Sequence, residues 1–417
     1  MMLVIRMRRF AWLGLCIIAA AGCSGDAAEQ RGTLQVERIT RGDTVIVRTL
    51  GGSVWGQPAR LVEELRIGAL EGPDELIFGR IAHVAPDGSG GAYVFDGQVP
   101  ALRHYDRNGR FTHTLGRRGS GPGEYQDAAL GLRVRRDGRI LMRDPRNARI
   151  NIYAPDGTAE DHWAVASGLF TANAMVMDTA GHVYLKILME RPEPNRPWRI
   201  GLLHLDASGQ LLDTIPDPPV AGEPQTAAGT FTVDKVWTFS PHGYMIAGLN
   251  ETYTFELRKP DGVIRVEMPH SPVSVHAEER DELEAVNDYM RRTQGQFLTA
   301  TIPPVPGTKP AYRAIHTGLD GTVWVQPYAS AVKFVPPPRE PVPSGGNPLP
   351  PQRTWREPIV YDVFDTNGAY LGQVPVPERT SLVALNGPEI WAVQRGEFDE
   401  QYLVRYRLVT GIDETAM

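Results

Sequence analysis

The sequence repeats a unit of short apolar runs separated by glycine turns, and this repetition constrains the fold more than any other feature. One complete copy lies in Leu115–Trp163, where three runs between residues 132 and 154 alternate apolar and polar side chains. Asp137-Gly138 separates the first two runs, and Asp156-Gly157 follows the third. Alternation with period 2 between Asp-Gly pairs is typical of antiparallel strands joined by hairpin turns. The unit therefore predicts one small sheet of hairpin-linked strands.

Equivalent turns along the chain predict six such sheets. The first turn has candidate equivalents at Asp87-Gly88, Ala180-Gly181, His242-Gly243, Asp320-Gly321 and Asn386-Gly387. The second turn recurs at Asn108-Gly109, Ser208-Gly209, Asp261-Gly262 and Asn367-Gly368. Because the last copy lacks this turn and its outer strand, we expect the N-terminal region to supply one, with Leu61–Ile67 and Thr44–Thr49 as candidates. The prediction is an all-β fold, a six-bladed β-propeller of four-stranded antiparallel blades over residues 39–412.

The best-preserved copy resembles the NHL-repeat type of six-bladed β-propeller, which has a TolB-like architecture. The match is carried by the loop GSGPGEY (Gly119–Tyr125), the Asp137-Gly138 turn, and Asp144, Asn147, Arg149 and Ile150. The preceding copy repeats the plan in DGSGGAYVFD and LRHYDRNGRF. The resemblance implies the propeller fold and a habit of binding partners on one face. It implies no particular reaction, so the function has to be argued from the residues.

Insertions lengthen some of the predicted connections between strands. Leu283, Val286 and Met290 recur at helical spacing and predict one amphipathic helix at about 275–293. A proline-rich loop follows at about 334–353. In a blade with strands a to d, these insertions fall in d–a and b–c connections, which lie on the same face of the propeller. Functional residues on rigid scaffolds concentrate in such loops, so we expect this face to be the working surface.

The first residues have the features of a bacterial lipoprotein signal peptide. Three arginines precede the apolar run Phe10–Ala21, and the following Cys23 stands in a sequence similar to a lipobox. We expect residues 1–22 to be the signal peptide, Cys23 to be lipidated, and residues 23–38 to tether an exported propeller to the cell envelope. In a Gram-negative cell this would be the periplasmic side of the outer membrane. An ordinary cleaved signal and an uncleaved anchor helix are the alternatives, although the apolar run is short for a membrane span.

Charge and cysteine content narrow the possible partners. The formal net charge is −6, which disfavours nucleic acid as a partner. The two cysteines are Cys16, inside the predicted signal peptide, and Cys23. The mature protein is therefore expected to have no disulfide and no cysteine cluster for zinc. No catalytic residue, metal or cofactor is predicted, and contact with the membrane is expected through the lipid anchor alone.

Alignment of the six predicted inner strands on the first turn reveals a basic column. At the point where each strand begins stand Arg80, Leu130, Asn173, Lys235, Arg313 and Arg379. Four of these six are basic, so we expect them to crowd one mouth of the central channel and to attract a small anionic ligand. The alternative is that each basic residue pairs locally with an acidic loop residue such as Glu75, Glu124 or Asp127.

The same alignment places two histidines and an apolar layer nearer the turns. His83 and His316 occupy equivalent positions, and Arg133 and Thr238 stand there in two other copies. Two histidines on different blades could bind a metal ion or exchange protons, but a buried histidine that is hydrogen-bonded between sheets is the commoner arrangement. One residue closer to the turn, a layer expected to pack between blades consists of Val84, Val134, Met177, Phe239, Thr317 and Val383.

These patterns lead to two functional hypotheses. The first is a monomeric, lipid-anchored, non-enzymatic binding module whose loop-rich face recognises a protein or a small anionic ligand. Its candidate contacts at the channel mouth are Arg80, Asn173, Lys235, Arg313, Arg379, His83 and His316. The alternative is a metal-dependent hydrolase or lyase with its site in the central channel, near the two histidines.

Overall fold

The computed structural model describes residues 33–126, 131–165, 175–190, 196, 198–225, 229–295, 301–339 and 349–415. Five of the residues singled out above lie outside these ranges: Cys16, Cys23, Asp127, Leu130 and Asn173. The arginine-rich start of the predicted signal peptide also lies outside them. The described residues belong to a single unit, Gly32–Met417. Neither helix found in them has both the length and the apolar character that crossing a membrane requires.

Six antiparallel sheets follow one another along the chain and form the blades of a β-propeller, as predicted. Blade 1 consists of Ile81–Pro86, Ala92–Asp96, Ala101–Tyr105 and Phe111–Leu115. Blade 2 consists of Gly131–Val134, Ile140–Asp144, Arg149–Tyr153 and Ala159–Ala164. Blade 3 consists of Met175–Met177, Val183–Leu188, Ile200–Leu205 and Leu211–Pro216.

Blades 4 to 6 repeat this order, and the N-terminal region adds strands to blade 4 and to blade 6. Blade 4 consists of Lys235–Phe239, Met245–Leu249, Thr254–Lys259 and Gly262–Glu267. Blade 5 consists of Tyr312–Thr317, Val323–Pro327, Val360–Phe364 and Tyr370–Pro375. Blade 6 consists of Thr380–Asn386, Glu389–Arg395, Gln401–Val409 and Arg60–Ile67. The first strands of several neighbouring blades contact one another, so they line the central channel.

The strand Arg60–Ile67, from the N-terminal region, closes the ring of blades. Arg60–Ile67 pairs antiparallel with Gln401–Val409, and Ile67 lies opposite Leu403. Ile67 and Leu403 are also buried in the same apolar cluster, which includes residues of blade 1. The prediction that Leu61–Ile67 completes the last blade is therefore confirmed.

The other candidate segment has a different place. Gln35–Arg41 and Thr44–Gly51 form a hairpin, and the second strand pairs parallel with Gly262–Glu267 at the outer edge of blade 4. Blade 4 thus has six strands, and the first of them begins within residues 23–38, which were expected to be a tether. From the hairpin the chain passes along blade 5, where the backbone N–H of Trp55 donates to the carbonyl of Leu371 at 2.8 Å.

The turn glycines explain why the hairpins could be recognised in the sequence. Gly138 has φ +86° and Gly157 has φ +89°, and the equivalent glycines of the other blades also have positive φ. In the first of these turns the N–H of Gly138 donates to the carbonyl of Arg135 at 2.9 Å. A positive φ is easily adopted by glycine and costly for other residues, so a tight hairpin turn requires glycine at this position.

The residues that carry the resemblance to NHL propellers hold the loop Gly119–Tyr125. The guanidinium of Arg149 donates to the carbonyls of Gly121 and Glu124, both at 2.6 Å. The amide of Asn147 donates to the carbonyl of Gly119 at 2.9 Å. These side chains donate hydrogen bonds to three backbone carbonyls of the irregular loop and so hold its conformation. Their role here is structural.

The predicted helix is present as α1, Ala277–Gln294, and a short helix α2, Gly411–Thr415, ends the described chain. Leu283 is buried, whereas Val286 and Met290 are only half-buried. Leu283 packs with Phe231, Val275, Val305 and Tyr328, all of which lie in d–a or b–c connections. These connections also contain a 3₁₀ helix and three short strand pairs: Asp74–Leu76; Arg117–Arg118 with Glu124–Tyr125; Val273–Ser274 with Thr308–Lys309; and Val332–Lys333 with Trp355–Arg356.

A buried ion-pair network fixes α1 to blade 5. The ammonium of Lys309 lies 2.8 Å from Glu279 Oε1 and 3.1 Å from Glu357 Oε1. The side chain of Lys309 is fully buried, and that of Glu279 is 2% exposed. Glu357 also pairs with Arg313 at the start of the inner strand of blade 5. The helix is therefore attached close to the channel.

Candidate functional site

The four predicted basic residues stand where the inner strands of four blades begin, at the end of the channel that carries the insertions. Arg80 precedes Ile81, Lys235 and Arg313 lie in the first two positions of their strands, and Arg379 precedes Thr380. Register shifts occur in three of these strands, between Ile81 and His83, between Tyr312 and Ala314, and between Leu382 and Ala384. A bulge reverses the face that the preceding residues present, so the four basic side chains do not repeat one orientation.

Two of the four basic residues are neutralised locally. Lys235 pairs with Asp217 and lies 2.7 Å from Glu223 Oε1, and its side chain is buried. Arg313 pairs with Glu357. For these two residues the alternative of local pairing holds, although the partners differ from the acidic residues suggested by the sequence. Their charges are not free to attract a ligand.

Arg80 and Arg379 have no acidic partner among the described residues, but they differ in their surroundings. Both residues are exposed, but the guanidinium of Arg80 lies against Gly97, whereas Arg379 has φ +58°. Asn173 lies outside the described residues. The structure therefore does not bring the predicted set together as a ring of free charges at this mouth.

The two histidines also have different environments. His83 is half-buried opposite Phe95 in blade 1. His316 projects into the central channel, and its ring centroid lies 5.7 Å from that of Tyr361. Within the part of the chain that the structure describes, no three His, Cys, Asp or Glu side chains are grouped to hold a metal ion.

A cavity of about 280 Å³ occupies the channel near the tight-turn end, opposite the insertions. The inner strands line it through Val84, Ala85, Pro86, Arg133, Val134, Val176, Met177, Thr238, His316, Thr317, Leu319, Leu382, Val383, Ala384 and Leu385, with Tyr361 behind them. Five of the six residues expected to pack between blades are in this wall, and Val383 is 41% exposed. The expectation of packing between blades nevertheless holds for four of the six, because Val84, Val134, Met177 and Phe239 also belong to or pack against apolar clusters that join neighbouring blades. We call this space the channel cavity.

Arg133 gives the channel cavity its charge. The guanidinium donates to the carbonyl of Leu132 at 2.7 Å, and no carboxylate of a described residue pairs with it. Burial lowers the pKa of Arg133 to about 10, so the side chain is still protonated at pH 7. No acidic side chain lines the cavity among the residues described. The result is an uncompensated cation in a largely apolar enclosure.

Lys186 and His316 add to this environment. Lys186 lies on the second strand of blade 3, with its ammonium 4.5 Å from the ring centroid of Trp237, and burial lowers its pKa. Burial and the positive charge of Lys186 both lower the pKa of His316, which is therefore mostly neutral at pH 7. A neutral imidazole can donate one hydrogen bond and accept another. The channel cavity thus offers the Arg133 cation and hydrogen-bond donors to an incoming anion.

Sequence reasoning placed Arg133 in the column of the two histidines but did not single it out. It missed Lys186 entirely. The available signal was a single basic residue within an otherwise apolar strand, Val183–Leu188, which is flanked by other blades on both sides. A charge in such a strand has to point into a cavity or find a partner.

No family model and no curated protein matches this sequence. Among solved structures, a member of the DUF4221 family from Bacteroides vulgatus has a TM-score of 0.50 and 10% identity, over 85% of this chain and 99% of that one. A virginiamycin B lyase from Staphylococcus aureus has a TM-score of 0.38 and 11% identity, over 89% and 98%. A gluconolactonase from Xanthomonas campestris has a TM-score of 0.36 and 12% identity, over 91% and 99%. The sheet order makes the chain a six-bladed β-propeller, and the similarity to the DUF4221 member concerns the fold alone, so the function has to be inferred from the residues of this chain.

Proposed function

We propose that this protein is an exported, lipid-anchored binding module that takes a small organic anion into the channel cavity. The observation that carries the proposal is the position of Arg133, a protonated guanidinium inside the channel with a single backbone carbonyl as its hydrogen-bond acceptor. A partly buried cation without a counter-ion is unfavourable in an apolar enclosure, and an anionic ligand would supply the missing partner.

The walls of the cavity restrict the kind of anion. Val134, Met177, Val383 and Leu385 present apolar surface, and polar contacts come mainly from Arg133 and His316. A ligand with one carboxylate and an apolar body would match both features, because it pairs the guanidinium and buries apolar area. A volume of about 280 Å³ suits a molecule of the size of an aromatic acid or a short branched acid.

We also propose the cellular location of the protein and its relationship to a family. The apolar run Phe10–Ala21 followed by Cys23 supports export and lipidation. The loop Gly119–Tyr125, held by Arg149 and Asn147, supports a relationship to NHL-repeat propellers. In this view the lipid keeps the module at the cell envelope, where a small ligand in the surrounding fluid can reach the channel.

The proposal can be tested by calorimetric titration of the full-length protein in detergent with benzoate and hexanoate, and with benzamide as a neutral analogue of benzoate. We expect binding of at least one carboxylate and no binding of benzamide. The Arg133→Met variant should weaken carboxylate binding by about tenfold or more, because a charge-assisted hydrogen bond is lost.

A double variant of Arg80 and Arg379, both changed to Met, serves as the matched control, since it removes two cations from the other end of the channel. We expect it to bind like the wild type. Equal affinity of the Arg133→Met variant and the wild type, or binding of benzamide as tight as that of benzoate, would refute the proposal. Loss of binding in the double variant alone would move the site to the predicted mouth.

A further inference from the structure

His316 and Arg133 face each other across the channel cavity. Arg133 lies on the inner strand of blade 2, opposite Leu141 of the second strand, and His316 lies on the inner strand of blade 5, opposite Trp324. These are equivalent positions, and in a ring of six the second and fifth blades stand on opposite sides of the channel. Both side chains line the cavity. A carboxylate between them can contact both groups.

The imidazole of His316 is available to a ligand. The residue is exposed, and its ring meets that of Tyr361 edge-on, with an angle of 75° between the two planes. Neither ring nitrogen forms a hydrogen bond with another of the described residues. Both nitrogens are therefore open to a molecule that enters the cavity.

The charged groups that act on His316 are cations. Arg133 faces it from blade 2, and the ammonium of Lys186, on the second strand of blade 3, is close enough to disfavour protonation of the imidazole. Within blade 5, the hydroxyl of Tyr361 stays protonated because burial raises its pKa. His83, at the equivalent position of blade 1, does not line the cavity. Among the described residues, blades 1, 4 and 6 present no charged side chain to the cavity, and no carboxylate lines it.

The protonation state of His316 therefore depends on whether the cavity holds an anion. Without a ligand, burial and the charge of Lys186 lower the pKa of His316, so the imidazole is mostly neutral at pH 7. A carboxylate within about 4–6 Å has the opposite effect, since a nearby negative charge raises the pKa of a histidine. The loaded state then binds more protons than the empty state, and binding strengthens as the pH falls.

We propose that the channel cavity takes up its anion together with one proton, which binds to His316. This inference rests on the anion-binding function proposed above and adds its regulation. The proton comes from the solvent and occupies a ring nitrogen, so the carboxylate is held between the Arg133 guanidinium and the His316 imidazolium. A lower pH favours the loaded state, and a higher pH favours release. Lys186 sets the pH at which the change occurs, because its charge opposes the same protonation.

The test is a calorimetric titration of the full-length protein in detergent with benzoate and hexanoate, at pH values from about 8 to about 5.5. This range lies above the pKa of a carboxylic acid, roughly 4, so the ligands stay mostly ionised. We expect the dissociation constant to fall by about fivefold or more across the range, since a neighbouring carboxylate shifts a pKa by about 1–3 units. Titrations in buffers of different ionisation enthalpy should show uptake of protons on binding.

Three variants locate the effect. His316→Gln keeps a polar side chain that cannot be protonated, so its affinity should stay close to the wild-type value at about pH 8 throughout the range. Lys186→Met should move the midpoint of the pH dependence to higher pH, because an opposing charge is removed. His113→Gln is the matched control: His113 is also a half-buried histidine whose pKa is lowered by burial, but it lies on the outer strand of blade 1. It should keep the wild-type pH dependence.

The two proposals fail in different ways. If neither carboxylate binds at any pH in the range, the anion-binding function is wrong, and so is this inference. If the carboxylates bind but their affinity does not change with pH, or if no protons are taken up, the proton coupling alone is refuted. Retention of the wild-type pH dependence in the His316→Gln variant also refutes it.

Discussion

Replacing Lys309 by Met should destabilise the attachment of helix α1 far more than a surface substitution would. Lys309 is fully buried between Glu279 and Glu357. After the substitution Glu357 keeps Arg313 as a partner, whereas Glu279 keeps only a hydrogen bond from the backbone N–H of His276 at 3.3 Å. Glu279 becomes a buried carboxylate without a counter-ion. Such a loss costs about 3–5 kcal/mol of unfolding free energy.

A second, exposed ion pair to α1 provides the control. Lys333 pairs with Glu278, which precedes Glu279 in the helix, but the side chain of Lys333 is 59% exposed. Lys333→Met should therefore cost at most about 1 kcal/mol. Combining Lys309→Met with Glu279→Gln should recover most of the lost stability, because the second change removes the stranded charge and leaves an amide of the same shape.

Urea unfolding followed by tryptophan fluorescence would measure these differences, and hydrogen exchange over residues 277–294 would locate them. We expect the amides of α1 to exchange faster in the Lys309→Met variant than in the Lys333→Met variant. Equal unfolding free energies and equal exchange in the two variants would show that the network does not hold the helix. Failure of the Glu279→Gln change to rescue Lys309→Met would show that the stranded carboxylate is not the cause.

Three further predictions concern the propeller. Although burial alone would raise the pKa of Asp87, hydrogen bonds from a histidine and from backbone amides lower it to about 2, from 3.8 for a free aspartate. Asp87 should therefore contribute about 2 kcal/mol to the unfolding free energy above about pH 4, and this contribution should be lost as the pH falls to about 2. The Asp87→Asn variant should be less stable than the wild type above about pH 4 and should approach the wild type in stability as the pH is lowered. Gly209→Ala should lower the unfolding free energy measured in urea by about 2–3 kcal/mol, because φ is +86° and the added Cβ would lie 2.2 Å from the buried Trp163 ring. As a control, Gly243→Ala should cost about 1 kcal/mol, because φ is +82° but no atom lies within 4 Å of the added Cβ. Ile67→Ala should cost about 2–4 kcal/mol in the same assay, because this buried side chain packs where the ring closes.

The fold could be predicted because its signals are local. Positive φ at Gly138 and Gly157 requires glycine, and period 2 between the turns fixes which side chains face inward. The missing outer strand in the last copy was also visible, since counting turns needs no knowledge of packing. The hairpin on blade 4 left no such signal, because an edge strand such as Gln35–Arg41 is exposed on most of its length and its partner is set by tertiary contacts alone.

The candidate site was harder to predict because it depends on register and on distant partners. A bulge at Arg313 changes which face the start of that strand presents, and counting residues from the turn cannot detect it. Lys235 is neutralised by Asp217 and Glu223, which belong to the connection from the preceding blade. His316 and Arg133 stand at equivalent positions of their inner strands, closer to the hairpin turns than the bulges are. Counting residues back from the turn therefore remains valid for these two, and both line the channel cavity.

The order of synthesis gives the closing strand a consequence for biogenesis. Arg60–Ile67 leaves the ribosome well before its partner Gln401–Val409 is made. The ring cannot shut until the partner strand has been translated, and the long separation between the two strands slows this last pairing. Until then the last blade keeps an unpaired strand edge, so the topology that stabilises the finished molecule also delays its completion.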